Sequence, residues 1–384
     1  MSGMALHALS ARLRRRRLAG SIVAACAAVL LGSTSAGAAG PDLPRSPGRE
    51  GAGPAGALSW SLTTTGTTSR LRGLAAVSRS VAWASGYDGT VIRTVDGGRT
   101  WASVGPAGTA DLQFRDVEAF DAQHAVAMAA GEGESSRIYT TTDGGHSWVE
   151  AFRNTEPAAF YDCMAFTSAS VGYAVSDPVD GRFRIITTTD GGLSWDVLDP
   201  SGMPAALPGE FGFAASGTCL TADVSGRLHL GSGGADPGRV FESEDGGATW
   251  DVTLTPVAGS GSSGIFSVSF RGPRDGVLVG GDFFNPTGSV GTAAWTSDGG
   301  LTWNAPTGAS PGGYRSGSAW VNRGWGGQGW VIAVGPTGSD VSRDGGRSWT
   351  AFDTGSFDAV QCTRDGACWA SGEQGRVALL TGLR

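Results

Sequence analysis

The sequence predicts an all-β fold, a seven-bladed β-propeller of four-stranded blades, from three observations. An eight-residue pattern, [ST]-x-D-G-G-x-[ST]-W, occurs six times along the 384 residues. Its copies recur at intervals of 46 to 55 residues, and a period of about fifty is typical of one propeller blade. Between copies lie short β-rich runs separated by glycine-rich turns. The aspartates of the six copies are Asp96, Asp143, Asp190, Asp245, Asp298 and Asp344.

Each copy of this pattern, which we call the box, is predicted to form a hairpin turn. The aspartate can accept hydrogen bonds from backbone N–H groups beyond it, and the paired glycines tolerate a positive φ. The closing tryptophan supplies a large apolar side chain to the strand that follows. Because two β-rich runs precede the one that leads into each box, the box is placed between the third and fourth strands of its blade.

The ring is predicted to close through its first strand. A seventh unit, residues 357–380, has three strands and ends without a box. The missing strand is found at residues 58–62, LSWSL, which resemble the end of a box standing alone. Pairing this segment into the last blade leaves no long open edge. The propeller is therefore assigned to residues 58–384.

The N-terminus has the features of an export signal. Arg12 and the run 14–17 form a positive region, residues 18–31 an apolar region, and 36–38 an A-x-A cleavage site. We expect a signal peptide at 1–38, a flexible leader rich in Pro, Gly and Ala at 39–57, and a periplasmic or extracellular protein, with association with the cell surface as an open alternative. A lipoprotein box at Cys26 and a twin-arginine signal are weaker alternatives.

The charge of the chain limits its partners. All 28 basic residues are arginine, so lysine Schiff-base chemistry is excluded. Without residues 1–38 the formal charge is −12, from 23 arginines and 35 acids. An acidic domain of this kind is a poor general binder of nucleic acid. We expect a monomer with no transmembrane segment in the mature chain.

The cysteines predict one disulfide and no metal site. Cys362 and Cys368 flank a hairpin turn and face each other across two strands, so export would allow them to oxidise. Cys163 and Cys219 fall on inner strands of neighbouring blades, where we expect buried free thiols. No Cys/His cluster occurs, and the sequence implies no cofactor.

The topology places the candidate site opposite the boxes. In an antiparallel blade, the start of the first strand and the end of the second lie on one face, and the box lies on the other. We call the first of these the funnel face, and we expect its polar side chains to form a recognition site. The candidate binding residues are Arg72, Arg115, Asp116, Asp162, Asp177, Glu210, Asp282 and Arg315.

The box resembles the Asp box, or BNR repeat, of sialidases and several receptor and hydrolase propellers. Over residues 58–384 the chain most resembles the photosystem II stability and assembly factor family and its exported bacterial relatives. Segments such as FRDVEAF, FAASGT, GIFSVSF and GYRSGSA are similar. The resemblance implies a non-catalytic scaffold that holds a protein through an arginine patch. Arg72, Arg115 and Arg315 are the matching candidates, and a protein, peptide or glycan would fit as the partner.

Glycoside hydrolysis is the main alternative. Sialidases clamp a carboxylate with three arginines and use a Tyr–Glu pair with an acid, for which Tyr161 or Tyr314 and Glu210 are candidates. A two-carboxylate mechanism would use Asp162 with Asp177 or Asp282. An oxidoreductase ranks lower, because no G-x-G-x-x-G opens a helix.

Overall fold

The computed structural model describes residues 57–321 and 329–383. The predicted signal peptide at 1–38, and the leader up to residue 56, lie outside these residues. The described chain consists of 27 β-strands and three single 3-10 turns. Within this range no helix is long and apolar enough to cross a membrane.

The strands group into seven consecutive blades. The bounds are as follows. Blade 1 comprises β2 (Leu71–Ala76), β3 (Ala82–Gly86), β4 (Val91–Thr94) and β5 (Ala102–Ser103). Blade 2 comprises β6 (Phe114–Ala119), β7 (Ala125–Ala129), β8 (Arg137–Thr141) and β9 (Val149–Arg153). Blade 3 comprises β10 (Tyr161–Phe166), β11 (Gly172–Val179), β12 (Arg182–Thr188) and β13 (Asp196–Val197). Blade 4 comprises β14 (Leu220–Ala222), β15 (Leu228–Gly231), β16 (Arg239–Ser243) and β17 (Asp251–Leu254).

The last three blades complete the ring. Blade 5 comprises β18 (Ser263–Phe270), β19 (Gly276–Asp282) and β20 (Ala293–Thr296). Blade 6 comprises β21 (Gly317–Trp320), β22 (Val331–Gly335), β23 (Gly338–Ser342) and β24 (Thr350–Asp353). Blade 7 comprises β25 (Ala359–Cys362), β26 (Cys368–Ser371), β27 (Val377–Thr381) and β1 (Ser59–Thr63).

The predicted seven-bladed propeller and its closure are confirmed. Each blade is an antiparallel sheet whose strands are ordered as in the sequence, from the first strand outward. In blade 7 the outer strand is β1, which pairs with β27 from Ser59 opposite Thr381 to Thr63 opposite Val377. Six blades have four strands; in blade 5 the fourth is reduced to a bridge between Trp295 and Asn304.

The boxes form the turns that follow the third strands. In blade 1, Asp96 Oδ1 accepts the backbone N–H of Thr100 at 2.9 Å, and its Oδ2 accepts the Thr100 hydroxyl at 2.7 Å. Gly97 and Gly98 have φ of 75° and 81°, which favours glycine at both positions. The N–H of Gly97 donates to Ser80 O at 2.9 Å. The box is thus tied to the turn between the first two strands, on the face away from the funnel.

The core lies between neighbouring blades. Trp83 of β3 is fully buried, and its ring meets Trp148 of the blade 2 box edge-on at 6.4 Å between centroids. Phe183 and Phe241 make an equivalent contact between blades 3 and 4 at 5.2 Å. Each blade therefore covers the apolar face of the next, which a single sheet cannot bury alone.

Two disulfides cross-link the ring. The predicted Cys362–Cys368 bond is present and joins the opposed ends of β25 and β26. The expectation of free thiols at Cys163 and Cys219 is wrong, because these residues also form a disulfide, with their Cα atoms 5.9 Å apart. The second bond joins blade 3 to the segment that leads into β14. Sequence spacing does not reveal this proximity, which arises only when the blades stack.

First strands carry a bulge at one recurring position. The pairing of β2 with β3 skips Arg72, and that of β6 with β7 skips Arg115. The pairing of β10 with β11 skips Asp162, and that of β18 with β19 skips Phe266. A bulge residue is left out of the ladder, which re-aims its side chain. In four blades this position lies near the funnel face.

Candidate functional site

A cavity of about 560 Å³ opens on the funnel face. The four bulge residues, Arg72, Arg115, Asp162 and Phe266, all line it. None of its lining residues belongs to a box. The other lining residues are Arg70, Phe160, Asp177, Phe211, Gly212, Phe213, Ala214, Ala215, Phe283, Pro286, Tyr314, Pro336 and Glu373.

Two arginines from adjacent blades lie side by side in this pocket. Arg72 Nη1 donates to the backbone oxygen of Ala214 at 3.1 Å, and Arg115 Nη2 donates to Gln113 Oε1 at 2.7 Å. Each guanidinium carbon lies 5.8 Å from the ring centroid of Tyr87, which both contact. Neither side chain forms a salt bridge with an acid in the described part of the chain. Their hydrogen bonds go to neutral groups only.

The environment of Arg115 disfavours its positive charge. Burial lowers the pKa of the Arg115 guanidinium, and the charge of Arg72 lowers it further. The Nε atom of Arg72 is buried without a hydrogen-bond partner. Two half-buried cations that form no salt bridge are incompletely paired, and a ligand carboxylate or other anion could pair with both.

A third arginine at the rim is already neutralised. Arg70 donates to both carboxylate oxygens of Asp358, from Nη2 at 2.6 Å and from Nε at 2.8 Å. Glu373 lies 3.3 Å from its Nη1. The hydrogen bond to Asp358 holds the pKa of Arg70 above its usual value. Arg70 therefore serves the rim as half of an ion pair.

Two carboxyl groups face the cations from blade 3. Asp162 and Asp177 both line the cavity, and Asp162 is only 2% exposed. Burial, then the charge of Asp177, raises the pKa of Asp162 well above its usual value. Burial raises the pKa of Asp177 to about 6.

Aromatic rings form a further part of the pocket wall. Phe213 and Phe266 stack with their centroids 3.7 Å apart and their planes 13° apart. Phe211 meets Phe213 edge-on at 4.9 Å, and Tyr314 meets Phe266 edge-on at 4.6 Å. Phe283 extends this wall to the rim, where 40% of its surface is exposed. The pocket thus combines a cationic side with an apolar side, a pattern typical of ligand sites.

Arg315 does not line the pocket, although the sequence placed it there. Its backbone N–H donates to Gly280 O of the preceding blade. The N–H groups of Leu71 and Ile265 likewise each donate to a carbonyl of the blade that precedes their own. Arg315 therefore occupies the position of Leu71, one residue before the bulge position. A shift of one residue turns a strand side chain to the other face, and the Arg315 side chain is buried against Asp340.

Glu210 is also engaged within the protein. Its carboxylate accepts hydrogen bonds from Arg239 Nε at 2.8 Å, from the Ser232 hydroxyl at 2.6 Å and from the Leu207 N–H at 2.8 Å. Glu210 is 6% exposed. Its role as a funnel acid is corrected to that of a buried anchor for the segment before β14.

The other candidates are dispersed. Asp116 is buried, does not line the pocket, and accepts the Met164 N–H at 2.7 Å. Tyr161 is buried and packs on Phe152 with the ring centroids 5.3 Å apart. Asp282 accepts the Phe284 N–H at 2.9 Å beside a separate, smaller cavity. Of the predicted site residues, the pocket unites Arg72, Arg115, Asp162, Asp177 and Tyr314.

Sequence reasoning missed the aromatic wall. Phe160, Phe211, Phe213 and Phe266 were not singled out, because apolar residues near strand starts are expected in the blade core. One signal was available: Phe211 and Phe213 flank a glycine in the glycine-rich segment before the first strand of blade 4, on the face where the polar candidates lie.

Chemically, the pocket can bind but holds no evident metal ligands. No group of three or more His, Cys, Asp or Glu side chains suited to a metal ion occurs in residues 57–321 and 329–383. Guanidinium groups can pair with an anion, and the phenyl wall can cover an apolar group. These two capacities describe a recognition site.

Comparison with known proteins adds evidence on the fold. No protein-family model matches the sequence, and no curated protein does either. Among solved structures, YCF48 bound to D1 peptide is similar with a TM-score of 0.58 and 17% identity, covering 83% of this chain and 94% of that one. YCF48 from Cyanidioschyzon merolae has a TM-score of 0.57 and 17% identity, covering 84% and 98%. The WD40 propeller domain of Doa1 has a TM-score of 0.53 and 10% identity, covering 84% and 97%.

Proposed function

We propose that this chain is a binding propeller that holds a protein or peptide partner in the pocket of the funnel face. One observation carries the proposal: Arg72 and Arg115 converge on a cavity of about 560 Å³ and have only neutral hydrogen-bond partners. Buried charges are normally paired. A partner with an anionic group would supply the missing charge.

The aromatic wall supports a partner that also carries apolar groups. Phe213, Phe266 and Phe283 line the same cavity as the two arginines, and the first two rings stack on each other. Aromatic and arginine side chains are enriched among the residues that carry protein-binding energy. An extended peptide offers an anionic group and an apolar side chain at a separation that a pocket of this size spans.

The structural similarity agrees with a peptide ligand. YCF48 has been solved with a D1 peptide bound, so a propeller of similar architecture accepts a peptide. At 17% identity the likeness concerns the fold, and the peptide partner of this chain is our inference from its own pocket. With the export signal expected at 1–38, the partner belongs to the cell envelope or the extracellular space.

The hydrolase alternative receives less support. A sialidase-like clamp needs three arginines on one carboxylate, but Arg315 is buried against Asp340 and Glu210 against Arg239. A two-carboxylate glycosidase needs both acids at one substrate, whereas Asp162 is only 2% exposed and Asp282 lies beside a separate cavity. The oxidoreductase alternative receives no support either, because the described residues include no cluster of side chains suited to a metal ion.

The test is capture of the partner with and without the two free cations. Wild-type protein and an Arg72→Ala/Arg115→Ala variant are used to capture envelope proteins from the native cell, and the captured species are identified by mass spectrometry. Peptides from the enriched protein are then titrated by fluorescence anisotropy. Each lost charge-assisted contact weakens binding by about tenfold or more.

The matched control removes two arginines from the box face. Arg271 and Arg274 lie in an exposed turn of blade 5, so Arg271→Ala/Arg274→Ala changes the net charge equally without touching the pocket. We expect this variant to bind like the wild type. Equal binding by all three proteins would refute the proposed pocket.

A further inference from the structure

The pocket contains its own competitor for the arginines. Asp162 is the bulge residue of β10, and Asp177 lies in the paired strand β11. Asp177 Oδ1 accepts the N–H of Gly212 at 2.8 Å. A Cβ atom at Gly212 would lie 2.9 Å from Asp162 Oδ2. Both carboxyl groups therefore converge on one backbone position of the pocket wall.

The two carboxyl groups act on each other as a pair. Asp162 is 2% exposed, and among the described residues its buried Oδ2 atom has no hydrogen-bond partner. Burial raises the pKa of Asp162, and the charge of Asp177 raises it further, as in other carboxyl pairs that share a site. Ionising both groups at once is therefore unfavourable, so the pair holds a proton more readily than an isolated carboxyl group does.

The charged groups around the pair are few. From blade 2, Arg115 is the cation that acts on Asp162, and from blade 1, Arg72 and Tyr87 stand next to Arg115. Blade 4 contributes the uncharged segment at Phe211–Ala215, whose Gly212 and Ala214 amides face the two acids.

We propose that the Asp162–Asp177 pair makes the binding of an anionic group at Arg115 proton-linked, so that the pocket binds a carboxylate-bearing ligand more tightly as the pair becomes fully protonated. This inference rests on the proposed function, because it concerns the same pocket. The ligand carboxylate and the ionised pair compete for one guanidinium. Binding of the ligand therefore favours transfer of a proton from solvent to the pair.

The direction of the pH dependence follows from the pair. The pKa of Asp177, raised by burial, is about 6. Below this pH both carboxyls are protonated and neutral, and the two arginines are unopposed. Above it the pair carries a negative charge beside Arg115, and an incoming anion is repelled. Affinity for an anion is expected to rise as the pH falls through about 6.

The test uses a small probe that needs no knowledge of the natural partner. N-acetyl-phenylalanine carries a carboxylate next to a phenyl ring, and N-acetyl-phenylalaninamide is its neutral counterpart. Both are titrated by NMR at about pH 5 and about pH 7.5, where the probe carboxylate, with a pKa of about 3.5, stays ionised. Calorimetry in two buffers of different ionisation enthalpy measures the protons taken up on binding.

Three variants separate the pair from its surroundings. Asp162→Asn/Asp177→Asn keeps the shape but cannot ionise. Asp177→Asn alone leaves one carboxyl without an anionic neighbour, which shifts the pH midpoint and serves if the double variant fails to fold. Asp180→Asn is the matched control, since Asp180 is an exposed blade 3 acid whose φ of 52° suits asparagine.

The wild type is expected to bind the carboxylate probe about three- to tenfold more tightly at the lower pH, with proton uptake, and the amide equally at both. The double variant should show no pH dependence, and Asp180→Asn should behave as the wild type. A pH-independent affinity in the wild type, or the same pH dependence in the double variant, overturns the inference but leaves the pocket intact. Absence of binding at every pH would overturn the proposed function as well.

Discussion

Arg315 donates to Asp340 from Nε at 2.6 Å, and both side chains are 2% exposed. The pair joins the segment before β21 to β23 within blade 6. Further hydrogen bonds, from Nη1 to the Tyr314 carbonyl and the Thr337 hydroxyl, satisfy the guanidinium. Arg315 thus differs in kind from Arg72 and Arg115, whose charges face the cavity. The same residue type has a structural role in one blade and a free charge in two others.

Breaking this ion pair is predicted to destabilise the fold and spare the pocket. Arg315→Met leaves Asp340 as a buried carboxylate without its partner, which costs about 3 to 5 kcal/mol. Chemical denaturation measures this loss. A double variant, Arg315→Met/Asp340→Leu, removes both charges and should recover most of the stability. Normal stability with lost ligand binding in Arg315→Met would contradict this assignment.

The Cys163–Cys219 disulfide is predicted to contribute more to the free energy of unfolding than Cys362–Cys368 does. It closes a loop with a sequence separation of 56, against 6 for Cys362–Cys368. By loop entropy, the long loop contributes about 4 kcal/mol and the short one about 2 kcal/mol. Paired Cys→Ser variants, compared by denaturant unfolding, measure both. Equal losses would show that the difference in loop length has no effect.

The same disulfide also borders the pocket. Phe211–Ala215 line the cavity, and Cys219 ends the segment that contains them. The Cys163→Ser/Cys219→Ser variant is therefore expected to lose affinity for the pocket ligand. Cys362→Ser/Cys368→Ser should keep it.

The boxes predict how stability falls in acid. Hydrogen bonds from Thr100 lower the pKa of Asp96 to about 2, and those from Ser147 do the same for Asp143. A lowered folded-state pKa gives stability above the unfolded value of about 4, and this stability is lost as the pH falls through about 2. Thermal melts across this range should drop steeply. In Asp143→Asn the drop should be smaller, since one titrating group is gone.

The buried pocket acids act in the opposite direction. The pKa of Asp177 is raised to about 6 by burial, so its contribution is complete below about 4 and is lost as the pH rises through about 6. Together with the boxes, this predicts a stability maximum at about pH 4, where the box contribution is complete and that of Asp177 is not yet lost. In Asp177→Asn, stability should no longer decline as strongly from pH 5 to 7. A monotonic rise to pH 7 in the wild type would contradict the raised pKa.

Ring closure depends on Trp60. Its ring packs on Phe357 at 5.2 Å between centroids, and its Nε1 donates to the Ser339 hydroxyl at 2.9 Å. Trp60→Ala should cost about 3 kcal/mol through lost packing. Leu62, 61% exposed on the same strand, provides the control: Leu62→Ala should cost little. Amide exchange at Leu379 reports whether β1 has detached from β27.

The fold was predictable because the same sequence pattern recurs once in nearly every blade. Six boxes at a regular interval count the blades, and one solitary Trp60 strand indicates the closure. Blade 5 departs from the pattern, since its fourth strand is only a bridge at Trp295 and Asn304. The repeat predicts the position of that strand but not its length.

The pocket was predictable only in part. Arg72 and Arg115 are predictable because they are charged residues at strand starts. Arg315 also lies at a strand start, but one residue before the bulge position, so its side chain points away from the cavity. Glu210 had a buried partner, Arg239, 29 residues away, which local sequence does not reveal. The Phe213–Phe266 stack and the Cys163–Cys219 bond join different blades. Such contacts depend on how the sheets stack, and no pattern within one repeat encodes them.

The recurring bulge separates the residues that pair the strands from those that line the cavity. A residue excluded from the strand ladder adds its side chain to the cavity without contributing a rung, so blades with Arg72, Arg115, Asp162 or Phe266 keep the same pairing around it. Evolution or a protein engineer can substitute these bulge residues and leave the strand pairing unchanged. In such a ring, the side chains at the bulge positions of different blades together determine ligand specificity. Substitutions at these few positions are therefore the direct way to change the ligand.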